Sequence, residues 1–164
     1  MHEHHHRDLP WLDRLTIAIP GYRGYQDRAN RRSADRALRD AIASRLGSVR
    51  VGLERLIHAC VDRGALTEVN ALERVERHLD RLIQRVRSAG SGTDAFHGAD
   101  SLDPSKTDTL HALDLQLHEH ALDLARRLVL PDTSHDFLAD VEADLAAFEQ
   151  KLDERALLLQ GFHG

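Results

Sequence analysis

At 164 residues, with four prolines and aromatic side chains at only 4%, the chain has the length of one domain and the composition of long helices. One cysteine excludes an internal disulfide and fits a reducing, cytoplasmic setting. The formal charge of −5 hides a split: residues 23–50 hold eight Arg against three Asp, while residues 51–164 hold twelve basic and twenty-one acidic side chains. So acidic a body argues against nucleic acid as a partner, and the basic sector suits an anionic surface.

Residues 1–8 read as a disordered tail whose His2-Glu3-His4-His5-His6 run would chelate transition metals in vitro. Residues 9–25 form an amphipathic segment, Leu9 through Ile19, followed by the elbow Pro20-Gly21-Tyr22-Arg23-Gly24-Tyr25. Its apolar side (Leu9, Trp11, Leu12, Leu15, Ile17, Ile19) suits either a cap over the open end of a helical bundle or an anionic membrane interface. Tyr22 and Tyr25 are expected to pack as the hinge. Nothing before them has the basic-then-apolar layout of a secretion signal, and no apolar run approaches the roughly 20 residues of a membrane span.

Residues 26–164 carry four helical stripes spaced three and four apart. The first helix is expected over about 26–62, with Leu38, Ile42, Leu46, Val49, Leu53, Leu56 and Cys60 inward and Gly64 as its stop. Gly47 and Gly52 interrupt it, and mark either a close helix contact or a bend. The second is expected over 65–88 (Leu66, Val69, Leu72, Val75, Leu79, Leu82, Val86), before a Gly/Ser-rich loop in which Phe96 folds back onto the bundle. The third is expected over 104–129 (Leu110, Leu113, Leu117, Ala121, Leu124, Leu128), with Asp103-Pro104 as its start. Asp132 or Thr133 then caps a fourth over 133–160 (Phe137 or Leu138, Val141, Leu145, Phe148, Leu152, Ala156, Leu159). The result is an all-α, up-down four-helix bundle with a long first helix and an N-terminal amphipathic segment.

The first helix outruns the second. Folded back from Gly64, the second reaches about residue 39, so the Arg-rich start of the first overhangs it, with the end of the fourth helix as a neighbour. No large aliphatic residue occurs from Gln26 to Ala37. A helix without an apolar face is solvated or binds something other than its own core. Trp11, Tyr22, Arg23, Tyr25, Arg28, Arg31, Arg32 and Arg36 therefore form the candidate interaction surface.

Metal chemistry is the alternative. Di-metal bundles use paired Glu-x-x-His segments, and the one such segment here, Glu3 to His6, lies in the tail. His111, Asp114 and His118 fall near one helix face, and His78 and His135 on other helices supply further ligands for zinc or another transition metal. The competing reading makes them half-exposed flanks of an apolar stripe. Cys60 lies on the core stripe and serves as a small apolar group. No nucleophile–base pair or phosphate-binding loop has local support, so no cofactor or reaction is assigned.

The elbow Ile19-Pro20-Gly21-Tyr22-Arg23-Gly24-Tyr25, with Arg31-Arg32 and Ala34-Asp35-Arg36 behind it, resembles uncharacterised small helical bacterial and archaeal proteins with an Ile-Pro-Gly-Tyr-x-Gly-Tyr motif. The resemblance covers about a fifth of the chain, and the rest agrees in general helical layout. It implies a bacterial or archaeal cytoplasmic protein, and it joins the elbow and the arginines into one feature. The functional expectation is a non-enzymatic interaction or scaffold protein. Its partner is an acidic protein surface, a second copy of itself, or the anionic inner face of a membrane.

Overall fold

The computed structural model describes residues 10–89, 102–129 and 132–162, all helix, turn or coil, with no strand among them. The expected tail (1–8) and Phe96 lie outside these residues. Among the described residues five helices occur: α1 (Pro10–Ala18), α2 (Arg31–Asp62), α3 (Leu66–Ser88), α4 (Pro104–Arg127) and α5 (His135–Gln160). None is long and apolar enough to cross a membrane.

Local chemistry sets the boundaries. After α1, the Tyr22 N–H donates to the Ile19 carbonyl at 3.1 Å, with Gly21 at φ 86°. Proline then glycine at the two central positions is what a type II turn requires. The long helix starts at Arg31, not near residue 26, because Asp27 diverts the chain. Its Oδ1 accepts from the Ala29 N–H at 3.0 Å, and its carbonyl accepts from the Asn30 N–H at 2.9 Å. At the other end Gly64 takes φ 72°; its N–H donates to Val61 O, and that of Ala65 to Cys60 O, closing a Schellman motif. Asp103 caps α4 through the Ser105 N–H, with Pro104 in the first turn. The cap of α5 is Ser134, accepting from the Phe137 N–H, rather than Asp132 or Thr133. Asp132 instead accepts from the Ser134 N–H.

The helices alternate in direction along the chain, but they are not arranged around the bundle in chain order. α2 packs against α3 and α4, and α5 against the same two. Arg50 pairs with Asp80 at 3.1 Å, and Arg39 Nη1 donates to Arg87 O, so α2 and α3 run antiparallel. α4 and α5 do likewise through Arg127–Asp144 and Arg155–Asp114. α3 and α5, by contrast, run parallel: Arg74 faces Glu142, His78 faces Glu149 and Arg85 faces Asp153. A plain up-down bundle would make every adjacent pair antiparallel. Here α3 and α4 sit across a diagonal, and residues 89–103 join them.

The leucine column is buried as the spacing predicts, from Leu38 to Cys60 in α2 and from Leu72 to Val86 in α3. Leu66 departs from it at 69% exposure, because it stands at the first residue of α3, beyond the packed turns. Gly52 is the close contact: a Cβ there would meet Leu128 Cβ at 3.1 Å and the Leu128 carbonyl at 3.2 Å. Gly47 faces open space.

The expected overhang is absent. Arg31, Ala34 and Asp35 are buried, so the first turns of α2 already lie within the packing. Polar groups replace leucine at that level. α1 lies against α4, with Leu15 and Ile19 buried, Trp11 and Leu12 partly covered, and Ile17 turned outward. The amphipathic segment thus caps the bundle. Arg14 fastens its polar side to Glu119 of α4.

Candidate functional site

At the elbow end, four elements deliver polar side chains into one buried cluster. Asp114 projects from α4 where the stripe from Leu110 to Leu117 passes inward, and it has no exposed surface. Arg155 comes from α5, Asp35 from α2, and Tyr22 and Tyr25 from the elbow. Arg155 Nε donates to Asp114 Oδ1 at 2.7 Å, and its Nη2 donates to Asp35 Oδ1 at 2.7 Å and to the Tyr25 hydroxyl at 3.0 Å. Both tyrosine hydroxyls donate to Asp114 Oδ2, Tyr25 at 2.5 Å and Tyr22 at 3.0 Å. Arg39 Nε closes the outer edge on Asp35 Oδ2 at 2.9 Å. Two carboxylates thus meet two guanidinium groups, and the charges balance.

This arrangement makes burial of the ions tolerable. An unpaired buried charge costs several kcal/mol, whereas a pair with every lone pair satisfied recovers most of that. Burial works against the Arg155 charge, but Asp114, Tyr25 and Asp35 outweigh it and hold the guanidinium firmly protonated. Burial also pushes the Asp114 carboxyl upward, opposed by Arg155 and both hydroxyls. Both phenols are raised well above their ordinary range, by burial first and Asp114 second, so they stay protonated donors.

Beside the ions lies an aromatic layer around His111. Its ring stacks on Tyr25 with centroids 5.1 Å apart and lies 4.6 Å from the Trp11 ring. The Tyr25 N–H donates to His111 Nε2 at 3.2 Å. Nε2 is therefore the unprotonated nitrogen, and Nδ1 carries the hydrogen of the neutral ring. That Nδ1 is buried with no hydrogen-bond partner among the described residues. Desolvation lowers the imidazole to about 4. Gly24, at φ 78°, is needed here, since a Cβ would sit 3.1 Å from His111 Nε2 and 3.3 Å from Leu12 Cδ1.

The expected interaction residues divide into two groups. Tyr22, Tyr25 and Arg31 face inward, which corrects their assignment to a docking face. Arg31 Nε donates to the Tyr25 carbonyl at 2.8 Å and ties the elbow to α2. Trp11 is half-buried against His111. Arg23, Arg28, Arg32 and Arg36 are exposed.

The expected metal ligands do not converge. His111 and Asp114 are fully buried rather than half-exposed flanks, and Asp114 already serves three donors. His118 is buried separately, its imidazole lowered by burial and then by Arg45. His78 sits across the diagonal on α3, bonded to Glu149 at 3.1 Å. His135 is exposed at the start of α5, at the opposite end of the bundle. Among the described residues no three His, Cys, Asp or Glu side chains are placed to hold a metal ion.

Sequence reasoning passed over Arg155 and Asp35. Both stand on the extrapolated stripes: Phe148, Leu152, Arg155 and Leu159 keep the 4-3-4 spacing, and Asp35 lies three residues before Leu38. Choosing Ala156 for its apolarity hid the arginine. Comparison with protein-family models, with curated proteins and with solved structures finds no match for this chain.

Proposed function

We propose that this protein is a non-enzymatic helical interaction module, and that its contact surface is the basic face of Arg23, Arg28, Arg32 and Arg36. The observation that supports this reading is where those exposed arginines stand. They ride on backbone anchored from beneath by Arg31 on the Tyr25 carbonyl and by Asp35 on Arg155. A rigid base reduces the ordering cost of binding. The rest of the chain is acidic, which favours an anionic partner for this one sector.

The partner class is an acidic protein surface, a second copy of the chain included. The buried groups speak for structure rather than chemistry: both Asp114 oxygens, both phenols and the Arg155 guanidinium are engaged with one another.

The test uses the full chain, with poly-glutamate as an acidic probe, gel filtration for self-association, and vesicles with or without phosphatidylglycerol. Binding to poly-glutamate or to itself should weaken with salt, and should be lost in an Arg23→Glu/Arg32→Glu/Arg36→Glu variant that keeps wild-type helicity. Binding to anionic vesicles alone would move the partner to a membrane surface. A monomer that binds none of these refutes the reading.

A further inference from the structure

We propose that α1, hinged at Gly21 and Gly24, forms a latch over His111, which opens when the imidazole takes up a proton and frees the Trp11 face of α1 while the elbow tyrosines and the four-helix body stay in place. The proposal does not rest on the basic face, since it turns on His111 and Trp11 alone.

The geometry leaves the ring no way to carry a second hydrogen. Nε2 already faces a donor, the Tyr25 N–H at 3.2 Å. A proton arriving there sets N–H against N–H and breaks the bond that seats the turn on α4. Nδ1 has no acceptor among the described residues to compensate. The rings packed against it, Trp11 of α1 and Tyr22 and Tyr25 of the elbow, bring no charged group to it. On its own helix stands Asp114, whose oxygens accept from Arg155 of α5 and from both tyrosines, with Asp35 of α2 behind Arg155.

Tyr22 and Tyr25 stay anchored on Asp114 and Arg155, and the moving part, α1, is held more lightly. α1 makes its extensive helix contact with α4 alone. Two positive-φ glycines, Gly21 and Gly24, join it to α2. The exposed ion pair of Arg14 with Glu119 adds little.

The sign is fixed by the direction of the imidazole. Burial in the docked state lowers the His111 imidazole from the ordinary 6.5 to about 4. Docking is therefore fully supported above pH 6.5 and loses that support as the pH falls through the window to 4. Between pH 7 and pH 4 the ratio of undocked to docked chain rises on the order of 100-fold.

Trp11 is the chain's one tryptophan, so its accessibility to acrylamide reports the latch directly. Accessibility is preferred to intensity, because an imidazolium against indole quenches it without movement. As the pH falls from 7 to 4, accessibility should rise while far-UV circular dichroism stays constant. His111→Gln, whose amide oxygen accepts the Tyr25 N–H without titrating, should keep Trp11 covered throughout. If that variant is already open at pH 7, the wild-type His111 titration followed by NMR decides: its midpoint must coincide with Trp11 exposure. Exposure that coincides with loss of helix, exposure without His111 titration, or no exposure above pH 4 overturns the latch.

Discussion

Arg155→Met should be the most damaging single change at the elbow end. The guanidinium is 6% exposed and makes three hydrogen bonds, to Asp114, Asp35 and Tyr25. Methionine fills most of the volume but leaves Asp114, with 0% side-chain exposure, as a buried carboxylate supported only by two phenols. Breaking a buried pair in this way costs about 3–5 kcal/mol. For a domain of this size that lowers the Tm by roughly 10 °C. Asp35 loses less, because Arg39 still pairs with it. Urea and thermal unfolding, run as a cycle with Asp114→Asn, measure the coupling. In the Asp114→Asn background the arginine has no such carboxylate to neutralise, so its removal should cost about 2 kcal/mol less. The pH dependence gives a second check. Without Arg155 the Asp114 carboxyl rises further above its ordinary 3.8, so the protonated form suits the fold. The loss should then be largest at neutral pH and shrink as the pH falls through the raised value. A cost under about 1 kcal/mol, or no coupling in the cycle, would refute the account of the network.

Tyr25→Phe removes a donor to Asp114 and an acceptor from Arg155, and should cost about 2 kcal/mol in denaturant unfolding, against about 1 kcal/mol for Tyr22→Phe. Gly47→Ala should stabilise the chain by roughly 0.5–1 kcal/mol, since alanine favours the helix and meets nothing. Gly52→Ala should lower the Tm instead, because the new methyl presses on the backbone of Leu128. Gly24→Ala forces a side chain into positive φ against His111 and Leu12. It should cost about 1–2 kcal/mol and leave Trp11 open to acrylamide at neutral pH.

Helix identity was legible because burial here follows a 3-4 repeat of leucine and valine, and Gly64 and Asp103 announce their turns in the residue type itself. The start of α2 was not legible, since the Asp27 turn competes with a helix the polar sequence would equally support. The order of helices around the bundle was hidden for a different reason: direction follows from link length, but nothing in an apolar stripe names its neighbour. The polar cluster was half visible. Residues 31, 35, 114 and 155 all fall on inward positions, yet a charged residue on a stripe reads as its edge unless its partner on another helix is known. The arginines from Arg23 to Arg39 looked uniform in the sequence; only their spacing relative to Leu38 separates buried Arg31 from exposed Arg28, Arg32 and Arg36.

Stripes of leucine tolerate sliding, because a helix shifted by seven residues still meets apolar neighbours. The cluster of Asp35, Asp114 and Arg155 forbids that shift, as any misaligned assembly strands an ion in the interior. Substituting all three with apolar side chains, together with Tyr22→Phe and Tyr25→Phe so that no buried hydroxyl is stranded, should therefore spare stability while multiplying conformers, seen as broadened or doubled amide resonances. Sharp single resonances in that variant would show that shape alone aligns the helices.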